Sequence, residues 1–123
     1  MSLFLFSQTG YAQSMDQALM AIDKEDYQQG YQLLLPLAKN NDAEAQYLLG
    51  RLLVDELVDS VKPEQGVEWL KKAIQNKHYE AAQVLSKMYL SGMVVPLDTE
   101  KGSYYLKLAE EYRPKDEPEE ECD

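Results

Sequence analysis

Residues 45–73 read AQYLLGRLLVDELVDSVKPEQGVEWLKKA, and residues 81–109 read AAQVLSKMYLSGMVVPLDTEKGSYYLKLA. Laid on each other at a shift of 36 residues, without a gap, they share Ala45/Ala81, Leu49/Leu85, Val58/Val94, Glu64/Glu100, Gly66/Gly102, Leu70/Leu106, Lys71/Lys107 and Ala73/Ala109. Eight identities in 29 positions exceed the roughly two that ordinary composition supplies. Leu48/Val84, Arg51/Lys87, Val54/Leu90 and Trp69/Tyr105 keep their chemistry as well. A fixed period in this range is the mark of stacked repeats, each too small to bury its apolar face alone.

Within the period, apolar residues recur at helical spacing. The pattern predicts an all-α chain of about three helix-turn-helix hairpins. A first helix is expected over 14–23, with Met15, Ala18, Leu19 and Ile22 on one face. A second spans Tyr27 to Lys39 and contains Pro36, which bends it or leaves one amide bond unmade. Asn40, Asn41 and Asp42 form a turn and a cap for a helix over 43–55. Pro63, followed by Glu64, suits the first turn of a helix that reaches Asn76. The fifth helix covers 79–91 and stops at Gly92, a natural left-handed cap. Asp98 or Thr99 opens the sixth, which ends near Tyr112, before Pro114 and Pro118.

Gly30, Gly66 and Gly102 also fall at intervals of 36, each early in the second helix of its hairpin. Mid-helix glycine costs about 1 kcal/mol relative to alanine, so the recurrence predicts helices crossing too closely for a Cβ. Leu34, Leu70 and Leu106, four residues on, are the expected core column.

These residues together resemble Sel1-like repeats, relatives of the tetratricopeptide repeats. One unit carries Ala45, Leu49-Gly50, Leu53, Glu64-Gln65-Gly66, Trp69 and Lys72-Ala73. The next carries Ala81, Leu85-Ser86, Tyr89, Gly92, Asp98, Lys101-Gly102, Tyr105 and Leu108-Ala109. Residues 14–42 resemble a shortened opening hairpin, with Asp26-Tyr27 and Pro36-Leu37-Ala38. The likeness covers about 14–112. Loop 56–62 lacks the family glycines, Ser86 stands for a glycine, and Gly66 and Gly102 stand for alanines. The resemblance implies a right-handed α-solenoid that serves as a scaffold or adaptor for other proteins.

Composition narrows the partners. The net charge is −10 over 123 residues. Residues 110–123 contribute −6 of it and the rest only −4. This acidity argues against nucleic acid, whose binding depends on cations, and against an anionic membrane surface. No stretch reaches the ~20 apolar residues of a membrane span. Cys122 is the lone cysteine and His78 the lone histidine, so no disulfide within the chain and no metal cluster is expected. Residues 1–12 read as a signal-peptide remnant or a disordered N-terminus: Leu3-Phe4-Leu5-Phe6 precedes small residues at Gly10 and Ala12. That implies a periplasmic or secreted protein, or otherwise a cytoplasmic one. Residues 13–112 form the repeat domain, and 113–123 an acidic, disordered tail.

No catalytic motif emerges, and the expectation is a non-catalytic protein without a cofactor. His78 reads as a solvated turn residue with no nucleophile beside it. Asp55/Glu56 and Glu110/Glu111 are sequence neighbours that point to different helix sides. The first helix of each full unit is more informative. By the family likeness it lines the concave face. Tyr47, Arg51 and Val54 share one stripe, and the shift maps them to Gln83, Lys87 and Leu90. Arg51 and Lys87 become neighbouring cations suited to a peptide that bears a carboxylate. Tyr104, Tyr105, Leu108 and Tyr112 make the last helix aromatic, with no repeat beyond to cover it, and offer a face for a homodimer. Two competing classes stay open: an enzyme of cell-envelope polymers, and a purely structural homo-oligomer.

Overall fold

The computed structural model describes residues 2–116, with side chains from residue 10 onward. Six helices follow one another: α1 (Ser2–Asp23), α2 (Tyr27–Lys39), α3 (Ala43–Val54), α4 (Pro63–Gln75), α5 (Tyr79–Ser91) and α6 (Thr99–Tyr112). No strand occurs among the described residues, so the chain is all-α there. α2, α5 and α6 keep the expected bounds, and α3 and α4 each end one residue early. α1 differs more. It begins at Ser2 and not near Ser14. Nothing in 2–13 breaks a helix: the stretch has no proline and one glycine. Ser14 Oγ donates back to the Gly10 carbonyl at 2.9 Å, and the Tyr11 hydroxyl donates to the Asp42 carboxylate. The tail expectation from residue 117 on, with Cys122, lies outside the described residues.

The helix starts follow from local chemistry. Asp26, Asp42 and Asp98 accept from the backbone N–H groups of Gln29, Ala45 and Lys101 at 3.3, 2.7 and 3.0 Å. Each satisfies a donor that the first helical turn leaves orphaned. Pro63 opens α4, where its missing N–H costs nothing.

Five helix ends share one device. Glu25, Asn41, Glu56, Lys77 and Gly92 take left-handed φ values of 61, 68, 55, 64 and 72°. The next residue's N–H then bonds five residues back: Asp26 to Ala21, Asp42 to Leu37, Leu57 to Leu52, His78 to Ala73 and Met93 to Met88. This is the Schellman closure of a helix C-terminus. Gly92 takes it freely, as expected, whereas glutamate and lysine pay for the left-handed backbone.

The glycine column does what its spacing predicts. A Cβ on Gly66 would lie 2.7 Å from the Gly50 carbonyl oxygen, and one on Gly50 would lie 3.0 Å from the Gly66 oxygen. α3 and α4 therefore meet backbone to backbone. In the next hairpin Ser86 holds the place of Gly50, and its buried hydroxyl donates to the Gly102 carbonyl at 2.7 Å. The serine thus serves the crossing with a hydrogen bond. In the first hairpin Gly30 faces Ile22 and the Ala18 carbonyl. The Ala18–Gly30 separation is four residues shorter than Gly50–Gly66, so the opening hairpin repeats the crossing with a shorter turn.

The apolar faces left by these crossings form two clusters. Ala18, Leu34, Leu37, Leu49 and Leu53 build one, and Leu70, Ile74, Leu85, Met88 and Tyr89 belong to the other. Burying each large aliphatic side chain contributes about 1.5–3 kcal/mol. Leu34 and Leu70 are fully buried, but Leu106 is 45% exposed. The expected core column therefore stops after two members, because no seventh helix follows α6 in the described chain to cover the third.

Gly66→Ala would normally gain helix propensity. Here the new methyl meets a carbonyl that cannot move alone, so a loss of roughly 1–3 kcal/mol is expected. Gly102→Ala meets first the Cδ2 and Cγ atoms of Leu90, a side chain 43% exposed, with the Ser86 carbonyl oxygen further off at 3.3 Å, so it should cost less. Urea unfolding of the two variants compares them directly, and equal losses would contradict the crossing geometry.

Candidate binding groove on α1, α3 and α5

A polar junction ties the first helices of successive hairpins. Gln46 is buried at 2% exposure; its amide donates to the Ala38 carbonyl at 3.1 Å and accepts from Asn76 at 3.0 Å. Asn76 also donates to Asn41 at 3.0 Å. The turns at Asn41 and Asn76 are thereby held against α3, and a buried amide with its bonds made is tolerated where an unpaired one is not.

His78 completes this junction, which corrects its reading as a solvated turn residue. Its side chain is 11% exposed. Nδ1 accepts the Ala81 N–H at 3.2 Å, so His78 caps α5 as Asp42 caps α3, 36 residues earlier. The proton then sits on Nε2, which donates to Glu44 at 2.7 Å. The ring stacks on Tyr47 with centroids 4.5 Å apart. Glu44, His78 and Glu80 place three ligand-type atoms within 4.8 Å of one another. The imidazole has no lone pair to give, however: one nitrogen is spent on the cap and the other carries the proton given to Glu44. In this tautomer the ring itself offers no lone pair to a cation or to a proton.

Two clefts flank α3. The first, about 270 Å³, has Val54, Val84, Met88, Met93 and Val94 as its apolar lining and Arg51 and Lys87 as cations. The second, also about 270 Å³, lies toward α1 and α2, with Ile22, Tyr27, Tyr47, Leu48, Leu52 and Leu57 around Arg51 and Asp55. Arg51, Val54 and Lys87 thus share one cleft, and Tyr47 joins Arg51 in the other. Gln83 and Leu90 line neither cleft. Leu90 instead lies over Gly102, within its own hairpin. Sequence reasoning missed Val84 and Met88, although they flank Lys87 at −3 and +1. It also missed Met93 and Val94, whose placement depends on the loop. Val94 adopts φ 66°, an unusual conformation for a β-branched residue. It thereby lines the cleft, whereas its repeat partner Val58 is buried in the core.

The two cations differ. Arg51 donates to the Tyr47 hydroxyl at 2.9 Å and lies 3.8 Å from Asp55, one helical turn on. The position equivalent to Asp55 is Ser91, whose hydroxyl donates to the Lys87 carbonyl at 2.7 Å. Lys87 consequently forms no ion pair among the described residues.

The aromatic face expected for a dimer is divided. Tyr105, Leu108 and Tyr112 pack against their own core, and Tyr105 stacks on Tyr89 at 5.8 Å. Only Tyr104 of the four is well exposed, at 57%. The reason is helical geometry: adjacent positions 104 and 105 diverge by about 100°. Burial pushes the Tyr105 phenol above its ordinary value of 10.0, and Tyr89 beside it adds to the rise.

No helix among the described residues is long and apolar enough to cross a membrane. No protein-family model matches the chain, and no curated protein is significantly similar to it.

His78→Ala should destabilise the fold by about 1–2 kcal/mol through the lost cap. His78→Asn, which can cap in the same way, should recover a substantial part of the loss in thermal unfolding. Tyr105 gives a second expectation. Its raised value means that its contribution to stability is complete below pH 10 and fades as pH climbs through the elevated value. Spectrophotometric titration should show one late-ionising phenol that disappears in Tyr105→Phe.

Proposed function

We propose that the chain is a short right-handed α-solenoid of the Sel1-like kind, and that it works as a non-catalytic adaptor. On this reading α1, α3 and α5 line the concave face and hold a segment of another protein that bears a carboxylate. The observation that carries the reading is the repetition of the cleft. Two hollows of about 270 Å³ each flank α3, one lined by Arg51 and the other by both Arg51 and Lys87. A reaction centre needs one site with converging groups, whereas a surface that reads a chain needs a row of similar ones. Tyr47 supports the same reading, since an aromatic ring beside an arginine is a common interface pair. Export to the periplasm or beyond the cell belongs to the proposal through Gly10 and Ala12. Cleavage after Ala12 would also remove the Tyr11 bond to Asp42.

The test is a displayed random-peptide library panned against the purified protein, followed by titration of synthetic copies of the enriched peptides. The Arg51→Ala, Lys87→Ala double variant should bind them at least about tenfold more weakly, a loss of roughly 1.4 kcal/mol. Failure to enrich any peptide, or unchanged affinity in the double variant, overturns the reading.

A further inference from the structure

We infer that the chain associates with itself head to tail: the first hairpin of a second copy covers α6, and the second copy's Met20 packs against Leu106. This surface is separate from the clefts beside α3 and does not depend on the adaptor reading.

The crossings fix which residues of the three hairpins are equivalent. A Cβ on Gly30, Gly66 or Gly102 would approach the carbonyl oxygen of Ala18, Gly50 or Ser86 respectively. Ala18, Gly50 and Ser86 therefore hold one place in successive hairpins. Met20, Leu52 and Met88, each two residues further on, hold another. In the second helix of each hairpin the matching row is Leu34, Leu70 and Leu106.

Burial along these two rows follows the order of the hairpins. Leu52 and Met88 are buried, but Met20 is 57% exposed. Leu34 and Leu70 are buried, but Leu106 is 45% exposed. The core clusters join the rows with an offset of one hairpin: Leu34 shares a cluster with Leu52, and Leu70 shares the other with Met88. Each second helix thus offers a leucine forward, and the first helix of the next hairpin receives it. Leu106 has no receiver, and Met20 has nothing to receive. They are the two halves of a joint that the chain builds twice and leaves open at each end. Only another copy of this chain supplies both halves in the same register, so the contact continues an interface already present inside each molecule.

The joint between copies is weaker than the joints within one. Exposed Gln17 stands where Leu49 and Leu85 are buried, Ser103 where Val67 is buried, and Glu110 where Ile74 is buried. Polar outer faces on terminal repeats keep an array soluble. Here they cover each end only in part, so the association is reversible and depends on concentration. The contact is also heterologous, because its two surfaces differ. A dimer still carries one free surface of each kind, and growth continues into a ring or an open row.

Sedimentation velocity of the full chain, up to about 1 mM, the dissociation constant of a weak contact, should show a mean mass that rises past that of a dimer. Met20→Lys and Leu106→Lys each spoil one surface at an exposed position, and each variant alone should stay monomeric. Mixed in equal amounts, they should form a dimer and nothing larger, because Met20→Lys keeps the α6 surface and Leu106→Lys keeps that of the first hairpin. Met20→Gln and Leu106→Gln repeat the mixture should either lysine variant lose its helical circular dichroism. A wild-type chain that remains monomeric throughout overturns the inference. So does a dimer that persists in the Met20 variant, or a mixture that recovers none.

Discussion

The close backbone crossing inside each hairpin sets the rest of the structure. Gly50 meets Gly66 with no Cβ on either side, and the nearest carbonyl would be 2.7 Å from any methyl added at Gly66. Such an approach brings Leu53 and Val54 of α3 against α4 and buries Leu70 completely. It also explains how mid-helix glycines persist despite their poor propensity: tertiary contact returns more than the backbone loses. Ser86 shows that the constraint is distance and not glycine as such. Its side chain fits because the hydroxyl turns the neighbouring Gly102 carbonyl from an obstacle into an acceptor.

The turns extend this logic along the chain. Five helix ends close with the same left-handed residue and the same bond five residues back. A common exit geometry lets different sequences enter the next helix in the same way, so the hairpins can vary in loop length without losing register. The short turn before α2 and the longer loop before α4 illustrate this freedom, because both sit between helices that cross at an equivalent point. The price falls on Glu25, Glu56 and Lys77, which hold a backbone conformation that glycine or asparagine would hold more cheaply.

Much of this was legible in local pattern. Helix bounds followed from periodicity, Pro63, Gly92 and the capping aspartates, and the crossing followed from Gly30, Gly66 and Gly102. The errors have physical causes. His78 carries the role of Asp42 at the next repeat, and the shift already paired those positions; its imidazole simply does not look like a cap in isolation. Leu106 is exposed where Leu70 is buried because the end of a repeat array lacks the neighbour that would cover it. α1 begins at Ser2 and not near Ser14 because no proline stands in 2–13 to break it. The clefts were only half visible. Arg51, Val54 and Lys87 lie on one predicted stripe, but Met93 and Val94 reach the same hollow from a loop whose shape depends on one left-handed valine.

Comparison of the repeats separates shared packing from what differs between the hollows. Positions that match, such as Leu49/Leu85, Gly66/Gly102 and Ala73/Ala109, are buried and serve packing. Positions that differ while occupying the same place carry the chemistry that distinguishes one hollow from the other. Asp55 becomes Ser91, and a neutralised cation becomes an open one. Even the identical pair Val58/Val94 diverges, because one valine fills the core and the other turns left-handed to wall the groove. A chain assembled from near-copies thus presents two hollows of about 270 Å³ that differ in charge, since Lys87 lines only the one between α3 and α5.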